Sequence, residues 1–228
     1  MLFAVALTIA SGSGALSRAD HTAPSTRTAV ASLAERLAEY ETDAATTLTK
    51  ITRAKDDAAR LSAVTSAYES FSERRSKDGS DFLAASFAGL TGAWRCRFGA
   101  DLTQLPGYVS EAGQLLDQAV TLARGAGHPG SLRATLRNRV EIFTAIPAVF
   151  GKHAAALADA EELLKLVSDQ AVEPTEDART KLLNVRALAV NGKKTEARDA
   201  LAKVKAFLSQ QKLTLSYELD EAEAALGP

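Results

Sequence analysis

Val190-Asn191-Gly192-Lys193-Lys194-Thr195-Glu196-Ala197-Arg198-Asp199-Ala200-Leu201 is the stretch whose reading decides the fold. An apolar helical run ends at Val190, Asn191-Gly192 supplies a stop, and a second run restarts near Thr195. In that second run Ala197, Leu201 and Val204 fall at i, i+4 and i+7, one stripe of a helix of 3.6-residue period. A helix, a tight stop and a second helix make an antiparallel hairpin. The same triplet occurs twice upstream, as Ala112/Leu116/Ala119 and Ala156/Ala160/Leu163, at intervals of roughly 40 residues. Recurrence of this kind predicts stacked helical hairpins, with the small residues marking where neighbouring helices close on each other.

Composition agrees with an all-α chain. Of 228 residues 46% are hydrophobic and 24% charged, enough to bury a core and unlike a disordered chain. Alanine and leucine, which lose little side-chain freedom in a helix, dominate long stretches. Val and Ile are scattered singly, and no segment alternates long enough to predict a strand. With 27 Lys plus Arg against 28 Asp plus Glu there is no basic field to draw the chain onto nucleic acid or anionic lipid. The single cysteine, Cys96, cannot form an internal disulfide and reads as a small packed residue.

The pattern predicts a first helix from about Pro24 or Ser25, with Leu33, Leu37 and Tyr40 in its stripe. The same face continues through Ala44, Leu48 and Ile51, where threonines weaken it. Further helices are predicted over 56–75, 82–98, 108–124, 131–146, 153–168, 175–190, 195–208 and 214–226. Gly79 ends the second, Pro147 ends the fifth, and Pro174 suits a first helical turn. The last helix carries an acidic outer face, Glu218, Asp220, Glu221 and Glu223, fit for a solvating cap. The expected organisation is an export segment over 1–19, an N-terminal helical pair over 20–80, and helical repeats with a capping helix over 81–228.

The export segment rests on the apolar run Leu2 to Ala10, followed by small residues that place cleavage after Ser17 or Ala19. No Lys or Arg precedes the run; a buried amino-terminal helix is the alternative. The run is too short to span a bilayer, so no stable membrane span is expected after processing, and a periplasmic or extracellular location follows.

The phrase Val190 to Leu201 resembles the middle of a tetratricopeptide repeat, with a turn glycine, a Glu-Ala pair and then a larger apolar residue. Similar turns stand at Gly151 before Ala156 and at Gly107 before Ala112, so the likeness covers roughly 82–209. It implies a short solenoid in which the turn glycine and the small residue five positions on let paired helices pack closely. The stretch Ser131 to Gly151 is also similar to bacterial exported helical-repeat proteins of undefined role, a likeness that implies no activity.

Catalytic chemistry finds little to build on. His21, His128 and His153 have no second histidine at i+3 or i+4, and no phosphate loop or G-x-S-x-G elbow occurs. No catalytic residue, metal ligand or cofactor is expected. The candidate ligand residues are Arg133 and Arg137, one turn apart and able to present two guanidinium forks to a carboxylate, together with Arg95 and Trp94. Set against a ligand role is intramolecular pairing, with acids such as Glu141 or Asp117 for the first two, and core packing for Trp94. Two readings of function follow. The first is a non-catalytic scaffold binding a protein or peptide along a concave helical face. The second is a carrier whose helices, around Trp94, Phe98, Phe143 and Phe150, enclose an apolar cavity.

Overall fold

The structure, a computed structural model, describes residues 24–99 and 103–227; the expected export segment lies outside the described residues. Among the described residues there are nine α-helices and no strand: α1 Pro24–Arg53, α2 Asp57–Lys77, α3 Phe82–Phe98, α4 Leu105–Gly125, α5 Pro129–Ala145, α6 His153–Ser168, α7 Pro174–Val190, α8 Lys194–Gln211 and α9 Ser216–Leu226. None of these is long and apolar enough to cross a membrane.

Local chemistry sets the ends. Asp56 caps α2 by accepting from the Ala59 amide at 2.8 Å, and Asp81 caps α3 by accepting from Ala84 at 2.9 Å. Gly151 and Gly192 take left-handed backbone, φ 66° and 78°, which lets α6 and α8 turn back sharply on α5 and α7. Gly107 does not share this role. It lies inside the first turn of α4, which starts at Leu105 with Pro106 supplying a fixed φ. The threonines of α1 do not break it, because Thr42, Thr46, Thr47, Thr49 and Thr52 each donate back to a carbonyl three or four residues earlier.

Successive helices pack as antiparallel neighbours, and the odd-numbered ones also touch each other in the order α1, α3, α5, α7, α9. The result is two layers, with odd helices inside and α2, α4, α6 and α8 outside. The three small-residue triplets all belong to outer helices α4, α6 and α8, and all nine residues are buried. They are therefore the faces that outer helices press onto inner ones. At Gly89 the fit between α3 and α4 is tightest: an added Cβ would meet Leu116 Cγ at 2.7 Å and the Ala112 carbonyl at 3.1 Å.

The largest apolar cluster joins α1 to α6 and is centred on Tyr40, Phe71 and Phe87, whose ring centroids stand 5.6–5.7 Å apart. Tyr40 donates to Asp81 at 2.7 Å, and burial, reinforced by that bond, pushes its hydroxyl up to about 12. A second cluster joins α7, α8 and α9. Between them Arg139 forks onto Asp159 at 2.5 and 2.6 Å and reaches Asp117 at 3.0 Å, tying α4, α5 and α6 together through a buried ion pair. The inner layer curls on itself. Arg137 of α5 meets Glu41 of α1 at 2.9 Å, and Tyr217 of α9 is hydrogen-bonded with Arg97 of α3.

Candidate ligand-binding cavity

Because the inner helices run parallel, their C-terminal turns gather at one end of the curl, where α9 packs along α7. Between them is a cavity of about 720 Å³, partly open to solvent. Its walls are mainly apolar: Trp94 of α3, Val109 of α4, Ile142 of α5, Ile146 just past its end, and Ala225 of α9, with Phe150 from the short 3-10 turn Ala148–Phe150. Pro147 shapes this wall by ending α5 and turning the chain back toward α6. The cavity shares Trp94, Glu141, Arg186 and Tyr217 with an inner chamber of about 80 Å³ that extends between α1, α3, α5 and α7.

The polar groups collect where the two spaces meet. Arg137 pairs with Glu41 at 2.9 Å and Arg179 with Glu218 at 2.9 Å. Arg186 sits 3.9 Å from Glu221 and donates to the backbone carbonyl of Glu141 at 3.4 Å. The Glu141 carboxylate has no hydrogen bond or ion pair among the described residues, although it lines both spaces. Burial pushes its pKa up; Arg186 and Arg137 oppose the rise, and Glu218 and Glu221 add to it. Burial also raises Tyr217, with Glu221 and Glu141 adding to the effect. An apolar wall meeting a cluster of arginines and carboxylates, Arg97 and Arg186 beside Glu141 and Glu221, is an arrangement suited to holding a ligand by its body and by one polar end.

The four residues singled out from the sequence do not share one site. Trp94 lines the cavity, but its neighbour Arg95 lies over the rings of Tyr68 and Tyr108, at 3.7 and 4.3 Å, and pairs with Glu111 at 2.7 Å. Adjacent helical positions point about 100° apart, so Arg95 faces α2 and α4 while Trp94 faces inward. Arg133 binds Glu176 at 3.0 Å and Gln170, outside the cavity. Arg137 lines the inner chamber with its fork on Glu41. The acids expected as partners behave otherwise: Asp117 takes Arg139 and Lys152, and Glu141 takes neither arginine. Of the aromatic set, Phe150 joins Trp94 at the cavity, Phe143 is fully buried in the core, and Phe98 packs toward Leu48, Ile51 and Val64.

Arg186, Tyr217 and the cavity role of Glu141 were not evident from the sequence. Glu141 follows Arg137 by one turn, a spacing that reads as an ordinary surface pair. Cys96 also lines the cavity, and burial pushes its thiol up, away from the reactive thiolate. Among the described residues no group of three or more His, Cys, Asp or Glu side chains is placed to hold a metal ion. Compared with protein-family models, with curated proteins and with solved structures, the chain has no match.

Proposed function

We propose that this chain is a non-catalytic binding scaffold whose ligand is a small apolar molecule held in the cavity beneath α9. The observation that carries the reading is the cavity itself, about 720 Å³ with largely apolar walls. That size falls within the roughly 300–1,000 Å³ of small-molecule sites, which combine apolar linings with a few placed polar groups. The alternation of inner and outer helices supports the tetratricopeptide likeness as part of the same proposal, since such stacks serve as binding scaffolds.

A protein or peptide lying on the concave face is the second reading, favoured by the cavity's partial opening to solvent. The two readings separate on what fills the space. Trp94 is the only tryptophan and stands in the cavity wall, so its fluorescence reports occupancy. Titration with 1-nonanol is expected to change Trp94 emission saturably at one site per chain. Ala145→Phe, at an exposed position on the cavity rim, is expected to weaken that binding about tenfold, while Arg133→Ala leaves it unchanged. Absence of saturable binding by the wild type would sink the small-molecule reading.

A further inference from the structure

The charged groups that border the cavity and its inner chamber are four arginines and four glutamates, so they leave no net charge. Arg137 holds Glu41 and Arg179 holds Glu218, each at 2.9 Å, and Arg97 is hydrogen-bonded with Tyr217. Arg186 stands 3.9 Å from Glu221, and the Glu141 carboxylate lies within reach of its charge.

Balanced charge does not satisfy every hydrogen bond, and Arg186 shows the difference. A guanidinium carries five N–H donors. Among the described residues Arg186 makes both of its close polar contacts through Nη2, the 3.4 Å hydrogen bond to the Glu141 backbone carbonyl and the approach to Glu221. Nε and Nη1 have no acceptor among those residues, although the side chain is only 9% exposed, the least of the four arginines. Of the fully buried side-chain nitrogens and oxygens described, only Arg75 Nε lacks a partner. The two nitrogens of Arg186 are therefore not sealed in the core; they open onto the space that Arg186 lines.

Donors held where water is scarce make an incoming acceptor worth more than it is in solvent. A carboxylate head would supply the acceptor but stand against Glu141 and Glu221. An ammonium head would stand beside Arg186 and offer it no acceptor. A carbonyl oxygen accepts from both nitrogens and leaves every existing pair in place.

Resting on the small-molecule reading above, we infer that the cavity selects an uncharged apolar molecule carrying a carbonyl group, a ketone, ester or amide, whose oxygen accepts from Arg186 Nε and Nη1 while its body lies against Trp94, Ile142 and Ile146. Arg186 sets the preference for an acceptor, and Glu141 and Glu221 balance its charge and so turn anions away.

The test compares 2-nonanone, nonanoate and nonylammonium, equal in chain length, with butylbenzene as an apolar body that lacks a carbonyl. Binding to the full chain at neutral pH is followed by Trp94 fluorescence and calorimetry. 2-Nonanone is expected to bind at least about tenfold more tightly than either ion. Its carbonyl stretching band in the infrared is expected to lie lower in the complex than in hydrocarbon solvent. Arg186→Lys keeps the charge that faces Glu141 and Glu221 but loses the two donors, and is expected to weaken 2-nonanone about tenfold while leaving butylbenzene within about twofold. An ion that binds as tightly as the ketone, a band at its hydrocarbon position, or full ketone affinity in Arg186→Lys overturns the acceptor assignment; continued binding of butylbenzene or 1-nonanol then leaves the apolar cavity standing. If Arg186→Lys loses butylbenzene as well, the variant has lost the cavity and the band position in the wild type decides. A wild type that binds neither 1-nonanol nor any of these probes overturns both readings.

Discussion

Glu141 bears on the stability of the fold. Its pKa in the folded chain is raised, chiefly by burial, so ionisation is harder in the folded state than in the unfolded one. The stability associated with this group is therefore fully present below the ordinary glutamate value of about 4.3 and is lost as pH rises through the higher folded value. Glutamine carries no such penalty. Glu141→Gln is expected to melt higher than wild type at neutral pH, with the two converging below about pH 4. Melting curves across that range check it; a variant less stable at neutral pH would show that the carboxylate is stabilised where it stands. A residue held at a cost to folding is a common mark of a binding site. Sequence patterning did not single it out, because a glutamate one turn after an arginine has an ordinary explanation, and the arginine's true partner, Glu41, comes from α1.

Helices and their faces were far more legible than the side-chain partnerships between them. Predicted and observed bounds coincide for α3 and α6 and fall within a few residues elsewhere, because caps and breakers such as Asp81, Pro147, Pro174 and Gly192 act through neighbouring backbone groups. The Ala112, Ala156 and Ala197 triplets told which face of α4, α6 and α8 is buried, since that information lies in spacing alone. What spacing could not tell is how close each pair stands. Gly89 gives the measure for α3 and α4. Gly89→Ala gains about 1 kcal/mol in helix propensity, but its methyl meets Leu116 and the Ala112 carbonyl in a filled interface, where overpacking costs about 1–3 kcal/mol. The net expectation is a loss of about 1 kcal/mol in urea unfolding. Gly125→Ala, at the end of α4 with open space around its Cβ, is expected to be neutral or to gain up to about 1 kcal/mol. If both variants behaved alike, backbone entropy would govern, and the α3–α4 contact would be less tight than described.

At the scale of the molecule the cavity is a product of closure, and closure depends on α9. Its lining comes from α3, α4, α5, α7 and α9, elements far apart in the chain, so no local pattern announces it. The acidic face of α9 reads in sequence as a solvating cap, yet Glu218 and Glu221 turn inward to Arg179 and Arg186, and Tyr217 reaches Arg97. The helix is short, 11 residues, and is fastened by few apolar contacts, chiefly the buried Ala222 and Leu226 in the cluster shared with α7 and α8. Short terminal elements with few buried contacts open at lower free energy than the rest of a fold. Ala222→Asp places a charge in the fully buried part of that contact and is expected to release α9 while α1–α8 stay folded. Three consequences follow together: circular dichroism changes only by the loss of one short helix, Trp94 emission moves to the red as water enters the cavity, and tryptic cleavage after Lys212 in the α8–α9 link accelerates by roughly tenfold or more. Affinity for 1-nonanol falls with it, because the wall formed by Ala225 is withdrawn. Faster cleavage with Trp94 emission and nonanol affinity unchanged would mean that the cavity holds its shape without α9, and that the lid belongs to the tail of the chain rather than to the site.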